Sequence, residues 1–333
     1  MRNRHAAVVI PVLNDSGSLR RLVRELDTLE LSAHHLHLVV VDDGSSPQVD
    51  VSLPQARSGG KAVRSVRTVR LACNLGHQRA IAIGLVAATG LPELDSVLVM
   101  DGDGEDRPED VVALLDAAAE SPSSIILAER SRRSETLGFR LFYRVYRMVF
   151  HLLTGQKIRF GNFCLLPMHA VHALVHTPSL WNNLAATVKR SRLPMRMIPT
   201  RRGTRYAGSS KMSFVGLAVH GLSAISVYTD VVLMRIIVGA TAAAGAFVLL
   251  LAVVVGIRLF TGLAIPGWAS FMAASLVILL LQALLIAGVA LFQLLSFRSV
   301  QTFIPAIHAG QFLLGHDTPA ERQPRSPHTA GIP

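Results

Sequence analysis

Cysteine is almost absent: Cys73 and Cys164 are the only two in 333 residues. That excludes a small disulfide-held scaffold, and two thiols so far apart suit a reducing compartment. Charge is sparse as well. Asp, Glu, Lys and Arg make up 17% of the chain, against about 25% in an ordinary soluble domain. Half of the residues are apolar, which excludes a disordered basic tail. Acid is scarcest in the C-terminal half, with none at residues 231–316. A cleavable leader is not expected either: the early run AAVVIPVL is too short to span a membrane and lacks a small-residue cleavage site, so it reads as a strand.

What is present is unevenly spread. Residues 1–135 carry 15 basic and 19 acidic residues, whereas residues 136–235 carry 14 basic residues and the single acid Asp230. The net charge of +11 is therefore a property of one segment. No nucleic-acid motif accompanies it, so nucleic acid is not expected as a partner. The basic block abuts two charge-free runs, 236–257 closed by Arg258 and 267–296 closed by Arg298. The first would span ~33 Å as a helix, enough for a hydrocarbon core of ~30 Å. The second is longer and should tilt or protrude. The alternative, two buried helices in a soluble protein, would have to hide both runs. The linking stretch LFTGLAIP has no charge, so the positive-inside bias puts both termini in the cytoplasm and the short hairpin loop outside.

The first 135 residues alternate short Val- and Ile-rich runs (6–13, 36–41, 66–71, 96–100, 124–127) with helical patterns near Ser18, near His77 and after Pro108. That predicts an α/β domain with a mostly parallel sheet, whose ligands sit at the carboxyl ends of strands. Polar clusters fall there: Asn14–Asp15, Asp42–Asp43–Gly44–Ser45 and Asp101–Gly102–Asp103. Residues 137–154 set Arg140, Arg144, Arg147 and His151 on one stripe, an amphipathic helix suited to a membrane interface or to docking on the domain.

The sharpest local signal is VLVMDGDGED. Two carboxylates at a strand tip, separated by glycine, can reach one hard cation, with substrate phosphates completing its shell. An EF-hand reading fails, because its sixth position would be Asp106 and its twelfth Val112. A plain capped strand-to-helix turn is the structural alternative.

With VVIPVLND, VVVDDGSS and NLGHQRAIAIGLVAATG upstream, the chain resembles the inverting family-2 glycosyltransferases of GT-A fold. With two C-terminal spans it looks most like the polyprenyl-phosphate sugar transferases, the dolichol-phosphate-mannose-synthase-like group. The resemblance covers roughly residues 6–235. It implies that Pro11, Asp42 and Asp43 line the base and ribose pocket of a UDP- or GDP-linked sugar, with Asn74, Gly76 and His77 on its border. Asp101, Asp103 and Glu105 would hold Mg2+ or Mn2+ on the diphosphate. Arg130 stands where the group has an arginine, with Arg132 and Arg133 after it. RRGTRYAGSSKM matches an R-x-x-G-x-S-K segment through Arg205, Gly208, Ser210 and Lys211, a loop able to close over phosphate. A juxtamembrane lipid-binding role for this basic stretch is compatible with that.

One position departs from the group. Where it has Gly-Asp-Phe this chain has FGNF, so Asn162 replaces the Asp often assigned as base. An amide cannot take the proton at pH 7. A lipid monophosphate does not require it, since its second pKa near ~6 leaves it mostly dianionic. Asn162 would then bind the acceptor phosphate, with Asp103, Arg205 and Lys211 completing the catalytic set. The resemblance implies transfer of a sugar to a polyprenyl phosphate at the cytoplasmic face. Alternatives are another lipid acceptor or a degenerate scaffold that binds nucleotide-sugar or lipid. Oligomers are common in the group. His34, His35 and His37 read as a solvated loop, and WNN at Trp181 is not the QxxRW of polymer-extruding synthases. The expected organisation is a nucleotide-sugar-binding core at 1–135 and an acceptor-side and juxtamembrane segment at 136–235. Two transmembrane helices within 236–298 and a cytoplasmic, partly disordered tail at 299–333 follow.

Overall fold

Val- and Ile-rich runs form the centre of a seven-stranded sheet. The computed structural model describes residues 4–31, 34–49, 62–130, 137–157, 160–207, 214–262, 265, 267–299 and 302–314. The strands are β1 (Arg4–Val12), β2 (His34–Asp42), β3 (Val63–Arg70), β4 (Ser96–Val99), β5 (Ile125–Arg130), β6 (Cys164–Pro167) and β7 (Met195–Thr200). Their order is β3-β2-β1-β4-β6-β5-β7. Only β6 runs antiparallel to its neighbours, β4 and β5. All five expected strands are present. The three histidines of β2 lie in the strand itself, not in a loop: the His37 ring meets His5 at 3.0 Å and Ser65 at 2.8 Å.

Helices cover both faces, which is why the central strands are apolar at every position instead of alternating. These are α1 (Ser16–Asp27), α2 (His77–Thr89), α3 (Pro108–Glu120), α5 (Met168–Val175) and α6 (Leu184–Ser191), while α4 (Leu137–Thr154) packs away from the sheet, its Phe150 meeting Ala186, Ala224 and Tyr228. Ala7, Val9, Val39, Val41, Val97 and Val99 pack with α2 and α5, whereas Ala6, Val8, Ile10, Leu36, Leu38 and Val40 pack with α1 and α3. Asp15 starts α1 by accepting the Ser18 N–H at 3.1 Å. Pro108 opens α3, with Glu109 and Asp110 at its positive end.

Beyond the sheet lie α7 (Phe214–Ser226), α8 (Thr229–Phe260) and α9 (Trp268–Ser299). The last two are 32 residues each, or ~48 Å, long and apolar enough to cross a membrane. They pack on each other and expose large side chains such as Leu249, Leu285 and Phe292 outward. Asp230, the lone acid of the basic block, sits in the first turn of α8 and receives both Arg190 nitrogens at 2.9 Å. Arg190 also bonds the Val227 carbonyl, and Arg235 donates to the Leu152 carbonyl at the end of α4 at 2.6 Å.

The expected tail is partly a docked segment. Residues 302–314 return to the free edge of β3: the Ala72 N–H donates to the Phe312 carbonyl at 2.8 Å and the Leu314 N–H to the Arg70 carbonyl at 2.9 Å. Phe303 lies 4.1 Å from the Trp181 ring, with Phe312 5.3 Å from that indole. Residues 315–333 lie outside the described residues.

Candidate active site

The carboxyl ends of β1, β2 and β4 meet on one edge of the sheet, with Pro11 opposite Val41 in register and Val12 opposite Asp42. Asp42 and Asp43 are both buried there, and both are engaged by backbone. Asp42 accepts the Ser45 N–H at 2.9 Å and the Val49 N–H at 3.1 Å, folding the segment after β2 into a turn. Asp43 accepts the Leu75 N–H at 2.7 Å and the Gly76 N–H at 3.0 Å, fixing the approach to α2. Burial pushes the Asp43 carboxyl upward and outweighs the pull of those two N–H groups and of His77. Both aspartates therefore shape the rim on which Asn74 and Gly76 sit.

The DGDGED turn after β4 is tied internally. The Asp101 N–H donates to Asp106 at 2.9 Å, and the Glu105 N–H to Asp103 at 3.0 Å. Asp106 is buried and holds the turn from beneath. Over it lies the segment 201–206. The Gly203 N–H donates to the Glu105 carbonyl and the Tyr206 N–H to the Asp103 carbonyl, each at 2.9 Å. Arg205 reaches Asp103 and Glu105 at 2.9 Å each, and Arg202 pairs with the other Glu105 oxygen. Burial raises the Glu105 carboxyl, but the two arginines outweigh it and hold it below the ordinary glutamate value. For Asp103 the balance is opposite: burial, with Asp101 and Glu105 adding repulsion, exceeds the help from the Glu105 N–H and Arg205 and raises it.

A relay of amides crosses the site. The Leu184 N–H, at the start of α6, donates to Gln78 Oε1 at 2.8 Å, and Gln78 Nε2 donates to Asn162 Oδ1 at 3.2 Å. A backbone N–H can only donate, so it fixes the polarity of the whole relay. The Asn162 NH2 group consequently faces His77 Nε2, at 3.2 Å. The same ring nitrogen lies 3.3 Å from Asp101 Oδ1. As a lone pair it accepts from the amide; as an N–H it donates to the carboxylate. Burial pulls the His77 imidazole down, and Asp101, with Asp106 and Asp43, outweighs that and raises it.

Pro11, Asp42, Asp43, Asn74, Gly76, His77, Asp101, Asp103, Glu105, Asn162 and Arg205 thus surround one edge. Arg130 ends β5 opposite Thr200, and its side chain lies outside the described residues, as do Arg132, Arg133, Gly208, Ser210 and Lys211. Of the expected metal set, Glu105 is held by Arg202 and Arg205, and Asp103 by Arg205. Among the described residues no three His, Cys, Asp or Glu side chains converge as a ready cation site. Asp101 and Asp103 are hard oxygen donors whose mutual repulsion a cation would relieve, and this pair fits a divalent ion shared with phosphate oxygens. Four contributors escaped sequence reasoning: Gln78, Asp106, Arg202 and Tyr206. Gln78 and Asp106 adjoin recognised motifs, but nothing in their spacing tells a fastening side chain from a solvated one.

Residues 7–171 match the family described as glycosyl transferase family 2. An undecaprenyl-phosphate 4-deoxy-4-formamido-L-arabinose transferase of Pectobacterium carotovorum is 28% identical over 268 residues, 78% of each chain. An uncharacterized glycosyltransferase of Synechocystis is 26% identical, over 81% of this chain and 84% of that one. Among solved structures, a glucosyl-3-phosphoglycerate synthase from Mycobacterium tuberculosis, in complex with Mn2+ and UDP-glucose, is similar over 69% of this chain and 79% of its own. Its identity is 15% and its TM-score 0.46. Through residues 7–171, about half of its length, the chain carries a glycosyltransferase domain of family 2.

Proposed function

We propose that the protein transfers one sugar from a nucleotide-sugar to a polyprenyl phosphate at the cytoplasmic face of a membrane, with inversion at the anomeric carbon. The observation that carries this is the meeting of the acidic β4 tip with arginines of the segment that leads into α7 and the two long apolar helices. The relative from Pectobacterium, by its name, acts on undecaprenyl phosphate, which supports the acceptor class.

The rim fastened by Asp42 and Asp43 receives the nucleoside. Asp101 and Asp103 would hold Mg2+ or Mn2+, which when bound stabilises negative charge on the departing diphosphate. An oxygen of the acceptor phosphate bonds to the anomeric carbon while the bond to the donor diphosphate breaks, the electron pair leaving with the diphosphate. No proton has to move, because the attacking phosphate is already mostly dianionic at pH 7. Asn162 suits that chemistry: one amide hydrogen faces His77, leaving the second for a phosphate oxygen. Arg202 and Arg205, now paired with Glu105 and Asp103, would pass to phosphate oxygens, and Ser210 and Lys211 follow them in the sequence. The arginine-rich approach to α8 and Arg298 in the last turn of α9 support placing both termini and the catalytic part on the cytoplasmic side.

Membranes containing the protein, given undecaprenyl phosphate and a panel of labelled UDP- and GDP-sugars, test this. Label should enter the lipid fraction from one donor and disappear on chelation of divalent ions. No lipid-linked label from any donor would refute the reading.

A further inference from the structure

Arg205 bridges two carboxylates at once, Asp103 through Nη2 and Glu105 through Nε, at 2.9 Å each. Arg202 takes the second Glu105 oxygen. Two carboxylates and two guanidiniums therefore balance in charge. The backbone beneath is independently fastened. Gly104 adopts φ +87°, and a Cβ there would lie 2.8 Å from the Tyr206 ring. A Cβ on Gly203 would strike the Gly104 carbonyl. The Tyr206 hydroxyl bonds Glu25 of α1, and Arg21 sits 4.3 Å over its ring. The main chain of the segment is pinned at Gly203 and Tyr206, so the Arg205 side chain can move without it.

We propose that Arg205 is a tethered cation that competes with the divalent ion for Asp103. It keeps the carboxylate turn compensated before the donor arrives, cedes Asp103 when the ion binds, and passes to the donor's phosphate oxygens. This rests on the reading of Asp101 and Asp103 as the carboxylates that hold the ion. A guanidinium keeps its proton in proteins, so only displacement clears the seat. Displacement is unfavourable while the guanidinium has no new partner, and a diphosphate supplies one. Ion and donor are thereby coupled: each binds more tightly in the presence of the other.

The test measures Mn2+ binding by the loss of the free-ion electron paramagnetic resonance signal, on the full chain in detergent without donor. Arg205→Gln should bind Mn2+ about tenfold more tightly than the wild type, within the ~5–150-fold range of site couplings. Arg205→Lys, whose single ammonium cannot bridge both carboxylates, should also tighten binding, by less. Arg202→Gln leaves Asp103 paired and should change affinity little. Unchanged or weaker binding in both Arg205 variants, with Asp103→Asn still abolishing it, would overturn the competition. Tightening in Arg202→Gln equal to that in Arg205→Gln would overturn the special place of Arg205. Mn2+ binding that is indifferent to Asp103→Asn would instead overturn the assignment of the ion's carboxylates.

Discussion

A carboxylate gripped by two guanidiniums is stabilised in its charged form, and Glu105, whose side chain is 12% exposed, is such a group. Its lowered pKa means that the pairing contributes fully above the ordinary glutamate range and is lost as pH falls through the lowered value. Glu105→Gln should cost about 1–3 kcal/mol of stability at pH 7. In denaturation experiments that gap should close below about pH 4; a gap unchanged at pH 3 would show that the pairs contribute nothing. Asn162 gives a kinetic counterpart. Were a carboxylate base required there, Asn162→Asp would raise kcat by about 10²–10⁴-fold. Less than a tenfold change is expected, measured as initial rates with saturating donor. Much of the site was legible at this scale, since DGDGED, VVVDDGSS and NLGH all reach one edge. What the residues do there was less so. Asp42, Asp43 and Asp106 spend their oxygens on backbone N–H groups, and such partners depend on loop geometry that spacing does not encode.

The elements show where periodicity carries information and where it does not. Runs buried on both faces announced β1, β2 and β4, and Pro108 announced α3. β6 went unseen because it has four residues and its antiparallel insertion between β4 and β5 is a long-range pairing. β7 is an edge strand with half-exposed side chains, too weakly patterned to stand out. The return of residues 302–314 to β3 likewise rests on Phe303, Phe312 and Trp181 finding one another across the chain. Phe303→Ala should cost about 1–2 kcal/mol through lost apolar burial and ring contact, seen as a lower thermal midpoint. The Arg190–Asp230 pair is nearly half exposed, so Arg190→Ala should cost less, about 0.2–1 kcal/mol. If the ion-pair variant proved the more damaging in the same melts, the junction would depend on Arg190 more than its exposure allows.

At the scale of the whole molecule the charge of +11 arises in the basic block 136–235, which follows a mildly acidic segment, 1–135, and adjoins two long apolar helices. Basic residues near an anionic bilayer each contribute about 1 kcal/mol of attraction. Along α4 the exposed Met148 and Leu152 share the helix with Arg144 and Arg147, a surface suited to lipid headgroups. The same block supplies Arg202 and Arg205 to the acidic turn, so the proposed membrane contact and the proposed chemistry draw on one stretch of chain. The proposed nucleophile is a lipid phosphate that needs no protein base. This is tested most directly by giving the same membranes, with the donor they use, either a polyprenyl phosphate or the corresponding polyprenol and measuring labelled lipid. Label should enter the phosphate alone; comparable label in the alcohol would show that the site activates a neutral nucleophile and would refute the phosphate mechanism.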